Sequence, residues 1–157
     1  MIIPKFQSGQ TLIEVIIAIG LVVLVLITLV SAMTLAIRNN QFAKDQVLAR
    51  NRAREALEWF RSLRDQMGWD AFTTMITTDS PPVTYCLPTL PTTTTLSSAL
   101  ANQVCTATDS IPGTKYVRSM LITTPNTEEV DVTVTVSWTD GGKSHQSQST
   151  LILKKWL

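Results

Sequence analysis

The residue with the clearest chemical potential is Glu14, a single acid near the start of a long apolar run. No side chain from residue 15 to residue 37 carries a charge. A helix of about 20 apolar residues is long enough to cross the hydrocarbon core of a bilayer. A carboxylate inside such a segment is costly unless it meets a positive partner, which predicts a functional role. We therefore expect Glu14 to form an ion pair within the membrane.

The residues around Glu14 resemble the cleavage and methylation motif of type IV pilins and type II secretion pseudopilins. The motif here is Gly9 followed by Gln10-Thr11-Leu12-Ile13-Glu14, after a short leader that bears Lys5. The resemblance implies that a prepilin peptidase cuts between Gly9 and Gln10. It also implies N-methylation of Gln10 and a role for Glu14 in filament assembly. The chain departs from the family at the first mature residue, which is usually phenylalanine and here is Gln10, and it lacks the helix-breaking proline that many pilins have midway through this helix.

Two other interpretations of the apolar run are a plain signal anchor with an incidental glutamate and a cleaved secretory signal. A secretory signal has an apolar core of only about 7–15 residues, which is followed by a small-residue cleavage site. In this chain the run is longer, and the expected cut after Gly9 precedes it. The run is therefore expected to remain in the mature protein as a single membrane span.

Two cysteines, Cys86 and Cys105, are the next candidates for chemistry. An even number of cysteines in an exported domain favours a disulfide. A bond that closes about 20 residues contributes about 3 kcal/mol in the chain-entropy model. The alternative is a pair of buried free thiols.

No constellation of catalytic or metal-binding residues is recognisable in the sequence. His145 is the only histidine, and it is expected to be exposed and inert in a predicted strand. Two cysteines and one distant histidine lack the spacing of metal ligands. No nucleophile has a base partner nearby, and no glycine-rich phosphate loop is present. We expect no enzymatic activity, no metal and no cofactor.

A long helix, predicted from Gln10 to about Arg64, positions these residues. Residues 1–9 form the leader, 10–37 the transmembrane and polymerisation segment, and 38–67 the amphipathic half of the helix. Apolar residues in the second half recur at three- and four-residue spacing, which indicates one covered face. They are Phe42, Ala49, Ala53, Ala56, Leu57, Phe60 and Leu63. Gly68 suits the left-handed cap that ends a helix.

Residues 68–157 are expected to form an extracytoplasmic β head. Residues 69–114 are predicted to be irregular because Pro81, Pro82, Pro88 and Pro91 interrupt them, and the disulfide ties a proline-rich loop over 81–113. Residues 130–138 alternate valine with polar residues, which is typical of a half-buried strand. A turn at Asp140-Gly141-Gly142-Lys143 leads into a strand over 144–153. A third strand is predicted over 116–123, with a turn at Pro125-Asn126.

The predicted fold class is therefore α+β, with a long N-terminal helix packed on a small antiparallel sheet. This layout also resembles the pilin fold. The net charge of +1 shows no basic excess, so nucleic acid is not the expected partner. Five basic residues follow the apolar run closely, and by charge alone they would face the cytoplasm. They are Arg38, Lys44, Arg50, Arg52 and Arg54. The cysteine pair and the peptidase motif favour the opposite orientation.

The function predicted from the sequence is that of a structural subunit, a minor pilin or pseudopilin of a type IV pilus or type II secretion filament. Its expected partners are a prepilin peptidase, other pilin or pseudopilin subunits, and the membrane. It would begin as a single-pass protein of the cytoplasmic membrane and end in a cell-surface or periplasmic filament. Two alternatives are a pilin-like tip or DNA-uptake module and a plain single-span membrane protein with an exported domain.

Overall fold

The computed structural model describes residues 10–91, Leu96, Ala101 and 104–155, with side chains from Leu12 onward. The described chain is α+β and divides into two compact units, one ending at Lys44 and the other beginning at Asp45. Its elements are α1 (Gln10–Met67), α2 (Trp69–Thr77), β1 (Val83–Cys86), a short 3-10 turn (Ala107–Asp109), β2 (Val117–Asn126), β3 (Glu129–Asp140) and β4 (Lys143–Lys154).

In the first unit, α1 presents an apolar surface on every side. The large apolar side chains between residues 12 and 37 are each 48% to 66% exposed. The hydroxyls of Thr28, Ser31 and Thr34 donate to backbone carbonyls three or four residues earlier in the helix. These polar groups therefore have partners without water, as a lipid environment requires. The chain thus has a helix long and apolar enough to cross a membrane.

In the second unit, one face of α1 packs on the sheet. The core includes six of the seven residues of the predicted apolar face, namely Ala49, Ala53, Ala56, Leu57, Phe60 and Leu63. Interiors are close-packed, so the three alanines are buried without voids beside the larger side chains of this face. The seventh residue, Phe42, belongs to the first unit and is 39% exposed, so the prediction for it is wrong.

The sheet has the strand order β1-β2-β3-β4, with every neighbouring pair antiparallel. The predicted valine alternation is confirmed, because the even-numbered residues of β3 from Val130 to Trp138 are buried. Gly141 and Gly142 have φ of 54° and 77°. A two-residue hairpin turn needs positive φ at both central positions, which glycine adopts without strain.

Three predictions of local structure need correction. The turn between β2 and β3 lies at Thr127 and Glu128, because Pro125 and Asn126 remain in β2. Gly68 ends α1 with φ 75° and ψ 165°, which is a glycine conformation outside the predicted left-handed helical region. Residues 69–114 are also not wholly irregular, because they contain α2 and β1.

Packing across the end of α1 explains why α2 forms. Phe72 and Ile76, one turn apart on α2, are both fully buried. The ring of Phe72 meets the ring of Phe60 edge to face, with their centroids 5.0 Å apart. Helix α2 therefore continues the core beyond Gly68.

We expect Phe60→Ala to lower the free energy of unfolding by about 3–5 kcal/mol, since it empties a fully buried site. Val47→Ala is the matched control, because Val47 lies on the same helix and is 57% exposed. It should change stability by no more than about 0.5 kcal/mol. Denaturant titration of the full chain, followed by tryptophan fluorescence, measures both. Equal stability losses would contradict this account of the core.

Candidate functional site

Glu14 lies in the first unit, on a part of α1 where every described neighbour is apolar. Leu12, Ile13 and Val15 are 66%, 60% and 55% exposed, and Glu14 is exposed beside them. Within the described part of the chain, Glu14 makes no ion pair or hydrogen bond of its own. A carboxylate placed in this way needs a positive partner from elsewhere if lipid surrounds it.

The predicted cleavage site falls mostly outside the described residues. Gly9 is not described, and Gln10 is described only as the first residue of α1. Glu14 follows Gln10 by four residues, so the two positions lie on the same side of the helix, about one turn apart. The assignments of Gly9 and Gln10 to cleavage, of Gln10 to methylation and of Glu14 to assembly remain predictions.

The predicted disulfide between Cys86 and Cys105 is present, with the Cα atoms 5.5 Å apart. Cys86 is the last residue of β1, and Cys105 directly precedes the cap of the 3-10 turn. The Asp109 carboxylate accepts a hydrogen bond from the Thr106 backbone N–H at 2.8 Å. The disulfide thus fixes the end of the edge strand β1 to an ordered turn. Residues 92–95, 97–100 and 102–103 of the predicted loop lie outside the described residues.

Sequence reasoning missed Arg118, which is only 2% exposed in the core. Its Nε donates to the Leu87 carbonyl at 3.1 Å, and one terminal nitrogen donates to the Arg52 carbonyl at 3.3 Å. The Glu55 carboxylate lies 3.5 Å away. Burial lowers the pKa of the Arg118 guanidinium, and the charge of Glu55 opposes that shift. Arg118 therefore connects α1, β2 and the residue that follows Cys86.

The alternation of inward and outward positions in β2 could have predicted that Arg118 is buried. Met120 and Ile122 are fully buried on the inner face, and Arg118 occupies the preceding inward position. A charged residue at a core position needs partners in the folded chain. Its contacts with backbone carbonyls indicate a structural role.

Two tyrosine–aspartate pairs secure other parts of the second unit. The Tyr116 hydroxyl donates to Asp45 at 2.8 Å, and Lys115 lies 2.6 Å from the same carboxylate. The Tyr85 hydroxyl donates to Asp79 at 2.5 Å. Burial, with a contribution from Asp45, raises the pKa of Tyr116 to about 12. Burial likewise raises the pKa of Tyr85, aided by Asp79.

His145 is less exposed than the sequence had predicted. It is half-buried in β4, and its ring stacks on Trp138 with centroids 5.6 Å apart. The ring of Tyr116 meets the ring of Trp138 edge to face, with their centroids 6.0 Å apart. The histidine therefore extends an aromatic cluster at the hairpin end of the sheet.

Two open grooves on the head have volumes of about 430 and 370 Å³. The larger lies between α2 and the β2–β3 turn and is lined largely by threonines, including Thr73, Thr77 and Thr124. Three threonines of α2 and Thr78, which follows it, donate their hydroxyls to carbonyls of the preceding helical turn. Within the described ranges, no three His, Cys, Asp or Glu side chains are close enough to hold a metal ion.

The chain was compared with family models, curated proteins and solved structures. No family model matches the chain, and curated proteins and solved structures give no significant match. The functional argument therefore depends on the residues and geometry of this chain.

The raised pKa values predict how the two tyrosines titrate. Tyr85 and Tyr116 are the only tyrosines, so absorbance of the phenolate reports on them alone. In the folded protein each holds its proton above the usual pKa of 10. We expect little phenolate absorbance near pH 10, and a pKa of Tyr116 that moves back toward 10 in Asp45→Asn. Asp70→Asn, which alters an exposed acid paired with Lys155, is the control and should leave the titration unchanged.

The sign of the linked stability follows from the raised pKa of Tyr116. The neutral phenol contributes fully below the unfolded pKa near 10, and its contribution is lost as the pH rises through about 12. The free energy of unfolding should therefore fall over that interval, less steeply in Asp45→Asn. A wild-type titration centred at the usual tyrosine pKa would contradict the two pairings.

Proposed function

We propose that this chain is a structural subunit, a minor pilin or pseudopilin, of a type IV pilus or type II secretion filament. The observation that carries the proposal is Glu14 on an exposed apolar helix, five residues after a glycine. Cleavage between Gly9 and Gln10 by a prepilin peptidase would release the subunit for assembly. The single histidine and the polar grooves offer no competing site with a recognisable reaction.

The physics of lipid explains what Glu14 does in this proposal. Apolar helices gain no further apolar burial by leaving lipid for one another, so close packing and polar pairs decide which helices associate. The cut before Gln10 creates a positive amine one helical turn from the height of Glu14. The amine of one subunit pairs with Glu14 of its neighbour, and an unpaired charge at that depth would cost several kcal/mol.

The described head supports the same proposal. A four-stranded antiparallel sheet covers one face of α1, which agrees with a pilin-like layout. The disulfide between Cys86 and Cys105 suits an oxidising compartment outside the cytoplasm. It thereby favours export of the head, despite the basic residues that follow the apolar run. In this proposal the protein is a single-pass prepilin of the cytoplasmic membrane before it enters a filament.

One observation favours a second role as a tip or DNA-uptake module. Arg50 and Arg54 lie one turn apart on the exposed face of α1, and within the described residues neither forms an ion pair. By contrast, Arg52 and Arg61 are paired with Glu55 and Glu58. Salt-dependent DNA binding by the full chain, lost when both arginines become alanine, would favour this role.

Processing is the first test of the proposal. Protein taken from its native membrane should begin at Gln10 and carry one added methyl group, as measured by intact mass. Gly9→Val should retain the leader, whereas Ser8→Ala is the control and should be cut normally. A wild-type chain that keeps residues 1–9 would contradict the pilin proposal and favour a plain single-span protein.

Assembly is the second test. We expect Glu14→Ala to keep its normal level in the membrane, because the head folds without Glu14. Its level in sheared filaments should fall about tenfold, because a neighbouring amine loses its partner. Glu58→Ala is the matched control, since it removes an exposed acid from the same helix outside the apolar run. Equal incorporation of Glu14→Ala and wild type would exclude the assembly role.

A further inference from the structure

Strand β4 forms an open edge of the sheet. Within the described residues it pairs only with β3, continuously from Lys143 to Lys154. The opposite edge, β1, has only four residues, and Tyr85 there forms a bridge to Ala101. The sheet therefore has one long edge with backbone groups available to another strand.

The hairpin turn determines which backbone groups of β4 face that edge. Asp140 and Lys143 flank the two-residue turn, so they form a pair that exchanges both backbone hydrogen bonds. Hydrogen-bonded and non-hydrogen-bonded pairs alternate along an antiparallel ladder. The odd-numbered residues of β4 therefore bond to β3. The even-numbered ones direct their N–H and C=O groups outward, and these are Ser144, Gln146, Gln148, Thr150, Ile152 and Lys154.

This edge lacks the features that usually prevent pairing with another strand. Exposed edges are commonly protected by proline, by a bulge or by a charged residue in the middle of the strand. The register of β4 on β3 has no shift, and residues 144–153 contain no proline, lysine, arginine, aspartate or glutamate. The side chains of Gln146, Gln148 and Thr150 are exposed, and Ile152 is 56% exposed.

We propose that the β4 edge binds an extended segment of a different polypeptide, which adds to the sheet as a fifth strand. The segment has an uncharged, β-forming centre and an acidic residue at the end that meets Lys143. Lys154 and Lys155 already have Glu129 and Asp70 within 4 Å, so Lys143 attracts an acid more strongly. This interaction goes beyond the role in filament assembly and does not depend on processing or on Glu14.

A second copy of this chain fits the edge less well. Two β4 strands paired antiparallel over their full length would bring Lys143 of each copy close to Lys154 and Lys155 of the other. The acids at that end, Glu129 and Asp70, already lie beside Lys154 and Lys155, so self-pairing supplies no free carboxylate for Lys143. Charge complementarity therefore favours a foreign acidic segment over self-pairing.

The test uses the full chain in lipid nanodiscs and two synthetic peptides of about 12 residues, the length of β4. One peptide alternates threonine and valine and has two glutamates at each end, and the other has lysines in place of the glutamates. Gln148→Pro removes an outward N–H without touching the ladder to β3, a position where edge strands tolerate proline. Gln148→Thr is the matched control, because it retains that N–H.

The acidic peptide should bind wild type and Gln148→Thr alike, and bind Gln148→Pro about tenfold more weakly. It should slow hydrogen exchange at the amides of Gln146, Gln148 and Thr150. Lys143→Glu should weaken the acidic peptide and strengthen the basic one, which tests the edge even if Gln148→Pro does not fold. Binding that is indifferent to these variants, no binding, or protection of the same amides by self-association alone would each overturn the proposal.

Discussion

The proposed assembly depends on the placement of one acid in a helix that the described chain leaves uncovered. The apolar side chains around Glu14 are exposed on all sides of α1, and the described chain provides no cation for its carboxylate. Lipid satisfies the apolar side chains but does not satisfy the acid. In the proposed assembly, a second molecule with a positive group at the same depth satisfies both. This constraint links the apolar run, the glycine before it and the proposed assembly into one physical explanation.

The second unit forms its hydrophobic core from its own residues. Its alanine-rich face of α1 packs on the sheet, and Phe72 of α2 extends that packing beyond Gly68. The buried Arg118 inside it has partners in the Leu87 and Arg52 carbonyls. A domain that forms its core from its own residues can be attached to a membrane helix that associates with other helices independently. We therefore expect stability and the proposed assembly to be separable by mutation.

The sequence predicted those features that depend on periodicity within a single segment. The alternating valines identified β3, the two glycines identified its hairpin, and the three-four spacing identified the buried face of α1. It failed for β1, which is a strand because β2 lies beside it, and for the turn that Pro125 suggested. It also missed the ion pair of Lys115 with Asp45, since those residues are far apart in sequence and meet only in the fold. The cysteine pair was predictable because only one pairing exists.

The most direct measurement of the central claim is zero-length carbodiimide cross-linking of assembled filaments, followed by peptide mapping. The reagent joins a carboxylate to an amine only when the two are in contact. We predict a covalent dimer in which Glu14 of this chain is joined to the N-terminal nitrogen of a neighbouring subunit, and no such dimer from dispersed subunits in detergent. Filaments in which Glu14 stays unmodified, or is joined only to the terminus of its own chain, would contradict the account.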